Sequence, residues 1–132
     1  MMSLIGARER GSHVNNILFV ACGGAMGAGC RYVLTNFVKQ KILTAFPYGT
    51  LGVNLLGCFL IGVFSSYFFK HTEIAKGYQL FLVTGVLGGF TTFSTFSLES
   101  VQLLMKEPFL GVMNIALSVL LGLGMVAIGL KI

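Results

Sequence analysis

The sequence predicts an all-α integral membrane protein with four membrane-spanning helices, the third of them broken at mid-membrane. Three observations lead there. Of the 132 residues, 55% are hydrophobic and only 10% charged, whereas an average soluble domain carries about 25% charged residues. Four stretches reach the roughly 20 mostly apolar residues that a spanning helix needs. One of those stretches holds a glycine pair followed by a run of hydroxyl side chains, a poor composition for a continuous helix.

The elements follow in order. Residues 1–15 carry Arg8, Glu9 and Arg10 and read as a disordered tail. The apolar run after them is too long for a signal-peptide core and has no clear cleavage site, so a retained helix is expected. That first helix runs from about Asn16 to Val38, with Asn15 or Asn16 as its N-cap. The second, after Pro47, covers about Tyr48 to Phe69. A short polar loop, Lys70-His71-Thr72-Glu73, precedes the third, about Gly77 to Leu104. The fourth runs from about Phe109 to Leu130, with Pro108 near its first turn, where proline is tolerated. Short loops make sequence neighbours antiparallel, and residues 16–132 form a single four-helix domain.

Charge placement excludes some functions. The net charge is +5, but its carriers sit at segment ends, where Lys and Arg anchor helices in the headgroup region. No basic stripe with interleaved aromatics points to nucleic acid. Arg8, Arg10, Lys70, Lys76 and Lys131 fall on one side of the membrane, and Lys39, Lys41 and Lys106 on the other. That bias is too weak to fix an orientation. Cys22, Cys30 and Cys58 lie inside apolar stretches without a CxxC or a paired histidine, which argues against zinc and against a disulfide framework. With no Ser-His-Asp set, HExxH, P-loop or paired carboxylates, no enzyme is expected. His13 and His71 lie outside the spans.

Polar side chains inside a span are costly, so each needs a reason. Arg31, in Gly23-Gly24-Ala25-Met26-Gly27-Ala28-Gly29-Cys30-Arg31-Tyr32, either snorkels to the interface or draws anions into a vestibule. Asn54 either bonds another helix or uses its two amide donors on a small anion. Thr50 lies one turn before it on the same face. The run Gly85 to Ser97 is either a glycine kink repaired by Ser/Thr back-bonding or a true break. A break frees carbonyls for a cation and amides for an anion, and such backbone survives only buried in protein or lining a wet cavity. Glu99 shares a face with Thr92 and Thr95. It is either an interfacial acid or a carboxylate in a water-filled pathway. Phe93 and Phe96, three apart, are either core or a pair of ring edges, which carry partial positive charge and hold an anion weakly enough for conduction.

Three motifs together resemble the Fluc (CrcB-type) fluoride channel family: Gly23-Gly24-x-x-Gly27-x-x-x-Arg31-Tyr32, Gly49-Thr50-x-x-Val53-Asn54-x-x-Gly57, and Gly88-Gly89-Phe90-Thr91-Thr92-Phe93-Ser94-Thr95-Phe96-Ser97-x-Glu99. The resemblance covers all four helices, from about Gly23 to Gly122. It implies a multi-pass protein of the bacterial inner (plasma) membrane, built as an antiparallel, dual-topology homodimer with two pores at the interface. Fluoride that entered as the neutral weak acid would leave passively through those pores, which lowers its toxicity. The resemblance maps the pore asparagine to Asn54, the phenylalanine box to Phe93 and Phe96, the polar track to Thr50, Thr92, Thr95 and Glu99, and the vestibule arginine to Arg31. A central structural Na+ maps to the carbonyls of Gly88 and Thr91. The fourth helix keeps the family's Ser at Ser118 but has Asn114 where a Tyr is frequent. The alternative is a small four-helix proton-coupled multidrug exporter, which needs an embedded Glu that the first helix lacks. A third class is a non-transporting assembly subunit.

Overall fold

The computed structural model describes the backbone of residues 2–74 and 76–132 and side chains from His13 onward, Ala75 excepted. Helix α1 spans Met2–Lys41, so it passes through Asn15 and Asn16, and neither caps its start. The tail expected over residues 1–15 falls mostly on positions whose side chains lie outside the described residues. Helix α2 spans Tyr48–Lys70. The third stretch begins with α3 (Lys76–Gln79), continues as a π-helical segment (Leu80–Leu87), and ends its first half in α4 (Gly88–Phe90). After a two-residue interruption, α5 covers Phe93–Lys106. Helix α6, Pro108–Gly129, starts with its proline in the first turn, as expected.

Among the described residues, four stretches are long and apolar enough to cross a membrane: His13–Lys41, Tyr48–Lys70, Lys76–Lys106 and Pro108–Gly129. Burial agrees with lipid as the solvent. Among the described residues the buried apolar side chains are Phe46, Val53, Leu87, Phe90 and Leu103, while large ones such as Phe37, Phe69, Phe93, Leu120 and Leu123 are exposed. A soluble chain would hide the second group.

With few large side chains buried, close backbone approach holds the helices together. α1 lies along the π-helical segment and α4, while α2 and α5 both lie along α6. The first contact is a glycine seam. A Cβ on Gly27 would run into the Val86 carbonyl oxygen, and one on Gly89 into that of Gly24. A second seam joins Gly62 of α2 to Gly129 of α6. No described glycine has positive φ, so these residues serve proximity rather than unusual backbone angles. The three cysteines are free thiols.

The interruption falls one step later than the glycines indicate. Gly88 keeps helical angles, φ −62 and ψ −39. Thr91 (φ −77, ψ 157) and Thr92 (φ −148, ψ 116) are extended instead. The β-branched pair tolerates extended backbone well, whereas Gly89 is required where α4 meets α1.

Candidate functional site

Breaking a helix leaves backbone groups without partners, and the chain meets several of them with its own side chains. The Thr92 amide donates to Asn54 Oδ1 at 2.8 Å, and Asn54 Nδ2 donates to the Thr92 carbonyl at 3.0 Å. One amide side chain thus pairs both backbone groups of Thr92. Thr92 in turn caps α5, because its Oγ1 accepts from the Thr95 amide at 3.2 Å and donates to Thr95 Oγ1 at 3.0 Å. Thr91 Oγ1 donates back to the Leu87 carbonyl at 3.1 Å.

These bonds have a consequence at two carbonyls. In an unbroken α-helix the Thr92 amide would bond Gly88 O and the Thr95 amide would bond Thr91 O. Here those amides turn to Asn54 and to Thr92 Oγ1. The two carbonyls expected to hold Na+ are thereby deprived of their helical donors, which is the donor chemistry a hard monovalent cation takes. No cluster of three or more His, Cys, Asp or Glu side chains occurs among the described residues, so any cation here relies on neutral oxygen.

Three cavities follow one another past the break. The outer one, about 610 Å³, is lined by the α1–α2 loop together with Lys39, Glu99, Gln102 and Lys106. A middle one of about 270 Å³ is lined by Arg31, Thr35, Lys39, Thr50, Thr92 and Thr95. The inner one, about 290 Å³, is lined by Asn54, Thr91, Thr92, Phe93, Phe96 and Ser118. Lys39 is common to the first two and Thr92 to the last two. A row of hydroxyl, amide and charged groups therefore runs from the loop end of α1 to the phenylalanine pair.

The residues singled out in the sequence are distributed along that row. Arg31 lines the middle cavity and is half-buried. It makes no ion pair among the described residues. Thr50 is 3% exposed, and its Oγ1 has no partner among the described residues. Ser118 Oγ, in the inner cavity, is likewise buried and unpartnered. Such orphaned hydroxyls carry a free-energy penalty of about 1–3 kcal/mol unless something else meets them. Glu99 lines the outer cavity rather than the middle one beside Thr92 and Thr95. Its Oε1 lies 3.6 Å from Lys39 Nζ. The Phe93 and Phe96 rings have centroids 5.6 Å apart and planes tilted by 48°. Phe93 is 80% exposed.

Two placements differ from the sequence reading. Asn114, which stands where the resemblance gives a frequent Tyr, is 1% exposed and donates from Nδ2 to Ser100 Oγ at 2.9 Å. Ser100 Oγ donates onward to the Phe96 carbonyl at 2.7 Å. Asn114 therefore ties α6 to the helix that carries Phe96. Lys39, read as a headgroup anchor, lines two of the cavities. A signal was available: Arg31, Thr35 and Lys39 recur every four residues and so share one helix face.

Comparison with known proteins adds independent information. A family model described as "CrcB-like protein, Camphor Resistance (CrcB)" matches residues 18–130. A Flavobacterium psychrophilum protein named fluoride-specific ion channel FluC is 41% identical over 111 residues, covering 83% of this chain and 90% of that protein. A protein of the same name from Rhizobium johnstonii is 42% identical over 116 residues, 87% of this chain and 93% of its own length. Another, from Dehalococcoides mccartyi, is 45% identical over 117 residues, 88% and 90% of the two chains.

Proposed function

This chain belongs to the CrcB-like family, and from that membership we propose that it is a fluoride-selective channel that lets cytoplasmic fluoride leave the cell passively. The observation that carries the reading is the series of three cavities, neighbours sharing Lys39 or Thr92 in their linings, that ends at the Phe93–Phe96 pair. A small anion entering it would exchange water for hydroxyl and amide donors at Thr50, Thr95, Asn54 and Ser118. The ring edges of Phe93 and Phe96 would then hold it without a fixed charge. Each of these contacts is weak enough to release the ion to the next, as conduction requires.

The channel acts as an antiparallel pair of subunits in the bacterial inner membrane, with two pores where they meet. The cavities lie on the surface of a single chain and the ring of Phe93 faces outward, which supports a second copy as the missing wall. The near-balanced distribution of Lys and Arg supports insertion in both orientations. The carbonyls of Gly88 and Thr91 are the groups that would hold a Na+ between the subunits. Its chemistry there would be structural, joining two breaks through neutral oxygens. The first span, His13–Lys41, contains no acid, which disfavours the proton-coupled exporter.

Purified protein in liposomes loaded with potassium fluoride tests this, with a fluoride-selective electrode as readout. Rapid fluoride release without matching chloride release is expected, and Phe96→Ile should reduce it at least tenfold. No fluoride release, or chloride release at the same rate, would refute the proposal.

A further inference from the structure

We propose that Lys39 belongs to the anion route as a charge-compensating cation, neutralising Glu99 at the point where its side chain lines both the outer and the middle cavity. The proposal rests on the channel reading above and assigns a role within it to a residue outside the motifs that carry the family resemblance.

Lys39 lines both cavities, so an ion passing between them passes its side chain. Its Nζ lies 3.6 Å from Glu99 Oε1. The partners are unequally exposed: the lysine side chain is 60% exposed and the glutamate only 16%. Glu99 Oε2 is buried and has no hydrogen-bond partner among the described residues. A carboxylate so placed meets an approaching anion as a like charge in a poorly screened setting. Among the described residues, Lys39 is the cation paired with it.

The pairing also sets the strength of attraction. Arg31, eight residues earlier on the same face, makes no ion pair among the described residues and draws anions with its full charge. A lysine already engaged by a carboxylate offers a smaller pull, on a flexible four-carbon stem with rotatable donors. It can lean from Glu99 toward an arriving anion and back. Beyond it, the buried and unpartnered Thr50 Oγ1 waits in the middle cavity. A passing anion would therefore meet an attenuated cation first and neutral donors next, a gradient of weak sites rather than one tight trap.

The test uses full-length protein in fluoride-loaded liposomes, with rates normalised to protein that elutes as a single folded species. Lys39→Gln should slow initial fluoride efflux on the order of tenfold, the lower end of what a steering charge contributes. Lys39→Arg should keep most of the rate, because it keeps the charge. The double variant Lys39→Gln with Glu99→Gln should run faster than Lys39→Gln alone, because the uncompensated carboxylate is gone. Wild-type efflux from Lys39→Gln would overturn the proposal. So would a Lys39→Arg rate as low as that of Lys39→Gln, or a double variant no faster than the single one. Wild-type liposomes that release no fluoride would instead overturn the channel reading, and this inference with it.

Discussion

Asn54 illustrates how one side chain serves structure while standing at the candidate site. Its two hydrogen bonds to Thr92 hold the break open, and one amide hydrogen remains for the inner cavity that it lines. The two roles separate experimentally. Asn54→Leu strands the Thr92 amide, and an unsatisfied buried donor costs about 1–3 kcal/mol. It is expected to lower the thermal midpoint of the detergent-solubilised protein and to abolish fluoride efflux. Lost efflux at an unchanged midpoint would mean that Asn54 acts on the ion alone. Asn114 has no such double role. It is closed off from the cavities and acts on Phe96 only through Ser100, so a family tyrosine at that position is not required for this inner cavity to exist.

At the scale of the elements, the third stretch divides its work between glycines and threonines. The glycines bring α4 and the π-helical segment against α1, and the threonines turn the chain out of helix. Composition merges the two into one break, because glycine and β-branched residues alike are poor helix formers. What separates them is contact with α1, which composition does not carry. The seam makes a sharp prediction. In Gly27→Ala the new Cβ meets the Val86 carbonyl oxygen, backbone that cannot step aside. Overpacking of this kind typically costs about 1–3 kcal/mol. Gly52→Ala meets nothing within 4 Å, and alanine is the better helix former by about 1 kcal/mol. Thermal unfolding in detergent should rank Gly27→Ala well below the parent and Gly52→Ala at or above it.

The described residues hide little apolar surface, and a set of large apolar side chains that includes Phe93, Val101, Met105, Phe109 and Val112 remains exposed. Lipid or a second copy can cover it. In the proposed dimer, the carbonyls of Gly88 and Thr91 would be the groups that hold a structural Na+. Replacing sodium by a large organic cation is then expected to lower the dimer fraction in size-exclusion chromatography and the efflux rate together. Equal dimer fractions in both salts would remove the cation from the assembly. Outside the spans, the Glu73 carboxyl is held below the usual carboxylate range by its own backbone amide and then by His71. It is fully exposed, so it has no visible bearing on the site.

Much of this is legible in the sequence. Lipid offers backbone no water, so spans must be apolar, helical and about 20 residues long. Composition and length therefore carry the four helices, and the same rule made Arg31, Asn54, Thr50, Thr92, Thr95 and Glu99 conspicuous wherever they fell. The interruption of the third stretch was legible for that reason too. Its position at Thr91 and Thr92 was not, nor was the pairing of Asn54 with Thr92, the burial of Asn114 or the place of Lys39 beside Glu99. Each depends on which atoms meet across elements far apart in the chain. Asn54 and Thr92 are 38 residues apart, and no local pattern records that the donors freed by one broken helix are met from another.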